Sequence, residues 1–173
     1  MKRNRRWIQI VVLSVVLVIG AYTIGSALFR SDSSVKIGSK APEFKLFGLD
    51  QQVHQLADYE GKALVINFWG TFCPPCVNEM PALQKQYDQW KDDNVVVLGI
   101  NLSESRVTVQ SFIDRYAITF PIIIDNDNEI RNKYNVMSYP TTFFVDSSGV
   151  IKDKFIGEMK EQDILIRINR LLQ

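Results

Sequence analysis

Residues 63–76 have the sequence ALVINFWGTFCPPC, and this stretch decides the fold. Its first half, Ala63–Trp69, is an apolar run with the length of a strand that is buried on both faces of a sheet. Gly70–Phe72 follow as a turn, and the apolar periodicity of a helix begins at Cys73 or Pro74. The stretch therefore predicts a strand, a turn and a helix, with a C-x-x-C motif at the first turn of that helix.

Similar apolar runs and amphipathic helices follow this stretch along the chain. Val95–Ile100 and Pro121–Asp125 are two further apolar runs, and the segments between the runs have apolar residues three or four positions apart. In residues 74–91 these are Val77, Met80, Leu83, Tyr87 and Trp90; behind the possible cap Ser105 they are Val109, Phe112, Ile113 and Tyr116. Buried runs that alternate with amphipathic helices predict an α/β fold with parallel strands.

A hairpin of antiparallel strands is predicted towards each end of the domain. Thr141–Val145 and Val150–Ile156 flank Asp146–Gly149, which is typical of a β-hairpin with a four-residue turn. Phe44–Leu49 and Val53–Leu56 indicate a smaller, extra hairpin at the N-terminal side. A last amphipathic helix contains Ile164, Leu165, Ile168, Leu171 and Leu172. The predicted order is ββ, βα, βα, β and ββα.

The N-terminal segment is predicted to anchor the chain in a membrane. Residues 7–29 contain no charged side chain, and about 20 helical residues are enough to cross a hydrocarbon core of roughly 30 Å. Residues 1–6 are basic, so the positive-inside rule predicts a cytoplasmic tail and an extracytoplasmic remainder. Residues 30–37 then form a polar linker, and residues 38–173 form the folded domain.

Two alternatives to a retained anchor have different sequence requirements. A cleaved signal peptide would use small residues such as Gly25 and Ala27 near its cleavage site, but the apolar run is longer than a typical signal-peptide core. A lipoprotein anchor needs a cysteine directly after the run, and the sequence has none there. The length of the run therefore favours a retained signal-anchor helix in the cell membrane.

The charge distribution gives no support for nucleic-acid binding. Residues 1–30 hold five of the 20 basic residues and none of the 19 acidic residues. Residues 31–173 therefore carry 15 basic against 19 acidic side chains, a net charge of −4. A domain with a negative net charge and no basic stripe lacks the attraction to phosphates that such binding requires.

The two cysteines of the chain, Cys73 and Cys76, both lie in the C-x-x-C motif. Proline is favoured in the first helical turn because its missing N–H would have no partner there, so Pro74 supports a helix that begins beside Cys73. Free backbone N–H groups and the helix dipole stabilise a thiolate, which predicts a Cys73 pKa below the roughly 8.5 of a free cysteine. Cys76 lies one turn deeper. We expect Cys73 to attack a substrate disulfide and Cys76 to resolve the mixed disulfide.

Other roles for the two cysteines need different partners. A purely structural disulfide would close a very small loop and constrain the unfolded chain little. Zinc takes about four ligands, whereas the sequence offers only three cysteine or histidine side chains: Cys73, Cys76 and His54. Copper can bind two cysteines and a distant histidine, so a non-catalytic copper-binding or adaptor module stays open as an alternative of another class. We expect His54 to face the solvent from the N-terminal hairpin.

The motif and its surroundings resemble a known family. Residues 67–76, Pro81 in the helix and Tyr139-Pro140-Thr141 resemble the thioredoxin superfamily. The extra hairpin, the anchor and Glu79-Met80-Pro81 are similar to its ResA branch of extracytoplasmic thiol–disulfide oxidoreductases, with a thioredoxin domain of the AhpC/TSA-Redoxin kind. The resemblance covers residues 36–173. It implies a thioredoxin-like fold, in which helices flank a central mixed sheet, behind one transmembrane helix.

The resemblance also implies the site residues. The catalytic pair is Cys73 and Cys76, which forms a redox-active disulfide, and no bound cofactor is expected. Pro140 is implied to be the cis-proline that faces this pair, where the preceding backbone can pair with an extended substrate. The residues expected to contact the substrate are Tyr139, Pro140, Trp69, Pro74 and Pro75, although packing alone is an equal interpretation of Trp69.

Two positions depart from the thioredoxin pattern. Asn67 stands where thioredoxins have a buried aspartate that takes part in proton transfer, and an amide cannot titrate. Glu79 lies three residues after Cys76 on the same side of the helix, so a partly buried carboxyl there would have a raised pKa and can take over the proton transfer. Pro74 replaces an acidic residue common in ResA relatives, and the sign of its effect on the reduction potential stays open.

Glu104 follows the second buried strand and is expected at the rim of the site, because sites in parallel sheets gather at the carboxyl ends of strands. A capping or solvated role is the simpler interpretation of this residue. Phe72 is expected to frame the cysteines with apolar surface, and Pro81 is expected to kink the helix by removing a backbone hydrogen bond.

These observations together predict an extracytoplasmic reductase. By resemblance, its substrate is the haem-binding C-x-x-C-H motif of apocytochrome c, and its electrons come from a membrane thiol–disulfide carrier of the CcdA kind. Reduction of other exported disulfide proteins during endospore formation is a related alternative. Residues 7–29 are expected to bind the lipid bilayer.

Overall fold

The computed structural model describes residues 2–28 and 35–173. The described residues fall into two compact units, residues 2–28 and residues 35–173. In the first unit, helix α1 (Lys2–Leu28) is continuous. No helix among the described residues is long and apolar enough to cross a membrane. The anchor over residues 7–29 stays a prediction, and Phe29 and most of the linker lie outside the described residues.

The second unit contains seven strands and four helices among its described residues. The N-terminal elements are β1 (Lys45–Phe47), β2 (Val53–Gln55), a 3-10 helix (Leu56–Tyr59), β3 (Ala63–Trp69) and α2 (Pro74–Trp90). They are followed by β4 (Val95–Leu102), α3 (Arg106–Tyr116), β5 (Ile122–Asp125), α4 (Glu129–Lys133), β6 (Thr141–Val145), β7 (Ile151–Ile156) and α5 (Glu161–Leu171). The predicted strands and the three longer helices of the domain are confirmed to within a few residues at their ends.

The central sheet has five strands in the order β5-β4-β3-β6-β7. β3 pairs in parallel with β4, and β4 in parallel with β5. β6 is antiparallel to both β3 and β7, so the sheet is mixed. The predicted small hairpin is also confirmed: β1 and β2 are antiparallel, and Leu49 N–H donates to the Ile122 carbonyl at 2.9 Å. This bond joins the hairpin to the β5 edge of the sheet.

Both faces of the sheet are covered, because alternate residues of each strand point to opposite faces. All seven residues of β3 are buried. One core cluster joins the sheet to α2, α3 and α5, and it includes Val65, Val97, Met80, Leu83, Val109, Ile164 and Ile168. The other cluster joins the opposite face to α4 and the N-terminal segment, and it includes Ile66, Phe68, Leu98, Ile130, Tyr134 and Phe44. The carboxyl ends of β3 and β4 are left for the site.

Helix α4 is an element that the sequence patterns did not predict. Its five residues are too few for an apolar periodicity to be recognised. The buried Asp125 at the end of β5 stabilises its first turn, since the carboxylate accepts hydrogen bonds from the backbone N–H of Ile130 at 3.2 Å and of Arg131 at 2.8 Å. The helix therefore depends on a side chain outside its own sequence.

His54 is not a solvent-facing strand residue, so that expectation was wrong. Its side chain is only 14% exposed, and Nε2 lies 3.0 Å from an Asp50 carboxylate oxygen. Its Nδ1 lies 2.6 Å from the hydroxyl of the buried Tyr59. Both ring nitrogens are thus engaged inside the N-terminal hairpin, where the imidazole gives the Tyr59 hydroxyl a hydrogen-bond partner.

Candidate active site

A tight turn between β3 and α2 presents the first cysteine. Cys73 N–H donates to the Gly70 carbonyl at 3.2 Å, and Cys73 has extended backbone angles as the N-cap of α2. A Cβ added at Gly70 would lie 2.4 Å from the Phe72 ring, so a larger residue there would displace this ring from its position. Phe72 itself is 62% exposed. The turn therefore places a large apolar side chain in the solvent directly beside Cys73.

Cys73 and Cys76 form a disulfide. Cys73 is 7% exposed and Cys76 is fully buried, which confirms that the second cysteine is the more sheltered. The backbone N–H of Cys76 donates to Cys73 Sγ at 3.3 Å. A thiolate at Cys73 can accept this same hydrogen bond and benefits from the helix N-terminus. The geometry allows a nucleophile at Cys73 and a resolving thiol at Cys76.

Glu79 follows Cys76 by three residues on α2 and is buried, with 1% of its surface exposed. One carboxylate oxygen accepts a hydrogen bond from Asn67 Nδ2 at 2.7 Å, and the other accepts from Met159 N–H at 3.0 Å. Burial raises the pKa of Glu79 to about 7, and the two hydrogen bonds lower it by less, while the charge of Glu158 raises it. The carboxyl can therefore hold or release a proton near neutral pH.

Asn67 positions this carboxyl, a role that the sequence comparison with thioredoxins did not indicate. Asn67 on β3 lies opposite Thr142 on β6, and its Nδ2 donates to the Thr142 hydroxyl at 2.9 Å as well as to Glu79. Both amide hydrogens are then engaged, which fixes the side chain. Asn67 Oδ1 is buried with no hydrogen-bond partner in the described part of the chain. A polar residue inside an otherwise apolar strand was the signal for this role.

The Tyr139–Pro140 peptide bond is cis, as the resemblance implied. Pro140 is buried and its carbonyl accepts from Gly157 N–H at 2.9 Å. Tyr139 is half-buried, with the Arg131 guanidinium over its ring at 5.6 Å from the centroid. These contacts fix the backbone at the position where the resemblance implies substrate pairing.

The remaining predicted contact residues differ in accessibility. Pro74 is exposed and Pro75 is half-buried, so both can be reached from outside. Trp69 is fully buried, with its ring centroid 5.1 Å from that of Phe112. Of the two interpretations of Trp69, the burial favours packing over direct contact with a substrate. α2 continues through Pro81 from Pro74 to Trp90.

Glu104 lies beside the turn, and neither a cap nor a solvated side chain describes it. Ser105 is the N-cap of α3, where its hydroxyl accepts from Thr108 N–H at 3.1 Å. The half-buried Glu104 carboxylate instead accepts from Thr71 N–H at 2.7 Å, from the Thr71 hydroxyl and from Asn101 Nδ2 at 2.8 Å. The sequence allowed a place at the rim for Glu104 but favoured a capping or solvated role, and it did not reveal these contacts because they join separate loops.

No group of three or more histidine, cysteine, aspartate or glutamate side chains in residues 2–28 and 35–173 is arranged to hold a metal ion. The expectation that the protein needs no cofactor other than its disulfide stays a prediction. What the geometry provides is a disulfide at a helix N-terminus, a buried carboxyl with a pKa near neutrality and a rigid turn.

Comparisons with known proteins agree with this geometry. A model of the AhpC/TSA family matches residues 37–154. The thiol-disulfide oxidoreductase ResA of Geobacillus kaustophilus is 39% identical over 163 residues, which make up 94% of this chain and 94% of that protein. The ResA of Bacillus subtilis is 35% identical over 163 residues, which make up 94% of this chain and 91% of that protein.

The fold is also found among solved structures. A thiol:disulfide interchange protein of the thioredoxin family from Chlorobium tepidum has a TM-score of 0.74 at 24% identity, and the match covers 80% of this chain and 99% of that one. This likeness shows the thioredoxin-like fold. With the family match over residues 37–154 and the ResA relatives, it leads to one conclusion. The chain belongs to the AhpC/TSA family and is a thiol–disulfide oxidoreductase of the ResA type.

Proposed function

We propose that the protein reduces disulfides of exported proteins. The reduced Cys73 thiolate attacks the substrate disulfide, forms a mixed disulfide and releases one substrate thiolate. Cys76 then attacks Cys73 Sγ, which restores the Cys73–Cys76 disulfide and releases the second substrate thiolate, so that two electrons pass to the substrate. The observation that carries the proposal is a buried carboxyl, Glu79, three residues after Cys76 on the helix whose N-terminus bears the cysteine pair.

Glu79 is the proposed proton acceptor for Cys76 in the second step. Cys76 is fully buried and needs a base to become a thiolate. A carboxyl with a pKa of about 7 is deprotonated in part at neutral pH, and it can take this proton without a large energetic penalty. Asn67 cannot titrate, but its amide donates a hydrogen bond to one carboxylate oxygen of Glu79 and so holds this carboxyl in place.

The proposed location is the extracytoplasmic side of the cell membrane. Residues 7–29 carry no charge, and the side chains of α1 from Trp7 to Tyr22 include many exposed large hydrophobic groups, such as Val11, Leu13 and Leu17. Exposed apolar surface of this kind supports an anchor in a lipid bilayer. The four basic residues within positions 2–6 support a cytoplasmic N-terminus.

The proposed substrate is the C-x-x-C-H disulfide of apocytochrome c, so the protein would act in cytochrome c maturation. The choice rests on the ResA resemblance of the sequence, and the relatives named ResA support the thiol–disulfide chemistry that it requires. Because the outer compartment is oxidising, the Cys73–Cys76 disulfide must be reduced again by a membrane thiol–disulfide carrier, for which a CcdA-like protein is the proposed partner. Other exported disulfide proteins, including those of endospore formation, are the competing substrates.

Deletion of the gene, followed by haem staining of membrane proteins, tests the substrate. We expect loss of covalently haem-bound cytochrome c, recovery with the wild-type gene and no recovery with Cys73→Ser. A Cys76→Ser variant should accumulate as a mixed disulfide with its substrate, because the resolving thiol is absent. Normal cytochrome c together with a mixed disulfide to a spore-envelope protein would instead assign the protein to endospore formation.

A further inference from the structure

We propose that Glu104 is a positioning residue that holds Cys73 in place for disulfide exchange. The proposal rests on the proposed reductase function, since it concerns the geometry of the same attacking thiol. Glu104 lies outside the C-x-x-C motif, between β4 and α3. Its carboxylate reaches back to the turn that precedes Cys73 and joins this turn to the end of β4.

The contacts of Glu104 form a connection between two loops. One carboxylate oxygen accepts from Thr71 N–H at 2.7 Å and from Asn101 Nδ2 at 2.8 Å, and the other accepts from the Thr71 hydroxyl. Asn101 is fully buried and pairs with Trp69 across β3 and β4. The connection is therefore anchored on a rigid part of the sheet.

Thr71 lies inside the turn that sets the direction of Cys73. The turn is closed by the bond from Cys73 N–H to the Gly70 carbonyl, and Thr71 lies between these two residues. By holding both the backbone N–H and the hydroxyl of Thr71, Glu104 fixes the turn from the outside. A displacement of about 1 Å at a reacting atom can lower a rate on the order of 100-fold, so a looser turn should slow the attack.

A glutamine at position 104 can separate the shape of this contact from its charge. Its oxygen can accept from Thr71 N–H and Asn101 Nδ2, and its Nε2 can donate to the Thr71 oxygen after the hydroxyl rotates. Glu104→Gln therefore keeps the three contacts and removes the negative charge. Glu104→Ala removes both, so the difference between the two variants measures the positioning alone.

The first experiment measures thiol pKa values in the full chain in mild detergent, with Cys76→Ser so that Cys73 is the single thiol. The rate of alkylation by iodoacetamide is followed against pH. Both Glu104 variants lose the same charge, but only Glu104→Ala releases the turn from its contacts with Glu104. We expect the Cys73 pKa to be higher in Glu104→Ala than in Glu104→Gln, because the loosened cysteine loses part of its stabilisation by the helix N-terminus. Equal pKa values in the two variants would overturn the proposal.

The second experiment measures exchange in the reduced full chain with an intact cysteine pair. The substrate is a peptide with an internal C-x-x-C disulfide, and the pH is high enough for full ionisation of Cys73. We expect a rate constant on the order of tenfold lower for Glu104→Ala and within about twofold of wild type for Glu104→Gln. A Glu104→Ala rate close to wild type, or an equal loss in both variants, would contradict positioning.

Thr71→Val keeps the test usable if Glu104→Ala does not fold. It removes one hydrogen bond to Glu104 and keeps the backbone N–H, with Thr71→Ser as its matched control. We expect Thr71→Val to slow the exchange a few-fold and Thr71→Ser to leave it near wild type; equal rates would count against the proposal. If the wild type fails to reduce the peptide, the proposed function is wrong, while the alkylation experiment still decides the role of Glu104.

Discussion

Replacement of Glu79 by glutamine should change the pH dependence of folding stability. Burial gives the folded protein a Glu79 pKa of about 7, against an ordinary value of 4.5. Because the folded pKa is the higher one, the unfolded chain loses this proton first as the pH rises. The contribution of the Glu79 carboxyl to the free energy of unfolding is therefore fully present below pH 4.5. This contribution is lost as the pH rises towards and through the folded pKa. The difference between the two pKa values corresponds to about 3 kcal/mol.

The local structure can accept the amide of Glu79→Gln. Its Nε2 would face either Asn67 Nδ2 or the backbone N–H of Met159, and both are donors. A rotation of the Asn67 amide by half a turn removes the conflict, because Oδ1, which has no hydrogen-bond partner among the described residues, then accepts from the glutamine. The Thr142 hydroxyl can rotate and donate to the same oxygen. We therefore expect the variant to fold.

Urea unfolding of the oxidised full chain in mild detergent, followed by tryptophan fluorescence at pH 5, 6, 7 and 8, measures the effect. The free energy of unfolding of the wild type should fall by about 2.5 kcal/mol more than that of Glu79→Gln over this range, because the first part of the loss lies below pH 5. Glu158→Gln is the matched control, since it removes an exposed neighbouring charge and keeps the Glu79 carboxyl. Parallel pH profiles for wild type and Glu79→Gln would refute the assignment of a titrating buried carboxyl.

Three further variants test separate parts of the structure. Asn67→Asp places a second carboxyl against Glu79, so thermal unfolding should show a larger loss of stability at pH 8 than at pH 5; an equal loss would contradict the like-charge argument. His54→Ala leaves the buried Tyr59 hydroxyl unpaired and should cost about 1–3 kcal/mol in urea unfolding, with the disulfide midpoint potential unchanged. Phe72→Ala removes an exposed ring beside the disulfide, and we expect a higher KM for a disulfide peptide with an unchanged Tm; an unchanged KM would remove Phe72 from substrate contact.

The strands and the longer helices of the domain could be predicted because their signals are local. Ala63–Trp69 is apolar apart from Asn67, and the sheet buries all seven residues. α2 and α5 have apolar residues at helical spacing, and the structure buries Met80, Leu83, Ile164 and Ile168. The five-residue α4 is too short for such a pattern, and its first turn is stabilised by the carboxylate of Asp125 at the end of β5.

His54 illustrates why the environment of a single polar residue could not be predicted. A strand pattern assigns alternate residues to two faces, but it does not say which face of a two-stranded hairpin meets another element. The 3-10 helix after β2 places Tyr59 against the imidazole, and the turn places Asp50 on its other side. The residue expected to face the solvent is therefore partly buried between Asp50 and Tyr59.

The sequence by itself determined that a buried strand, a tight turn and a helix present Cys73 at the helix N-terminus, with Cys76 one turn deeper, because each of these features depends on neighbouring residues. Only the tertiary structure decided how the surrounding polar groups meet. Asn67 contacts Thr142, Glu79 contacts Met159, and Glu104 contacts Thr71, and these pairs are 75, 80 and 33 positions apart. These residues meet because β3 pairs with β6, α2 packs beside α5, and the ends of β3 and β4 are adjacent. A local sequence pattern does not encode contacts between residues so far apart in the chain.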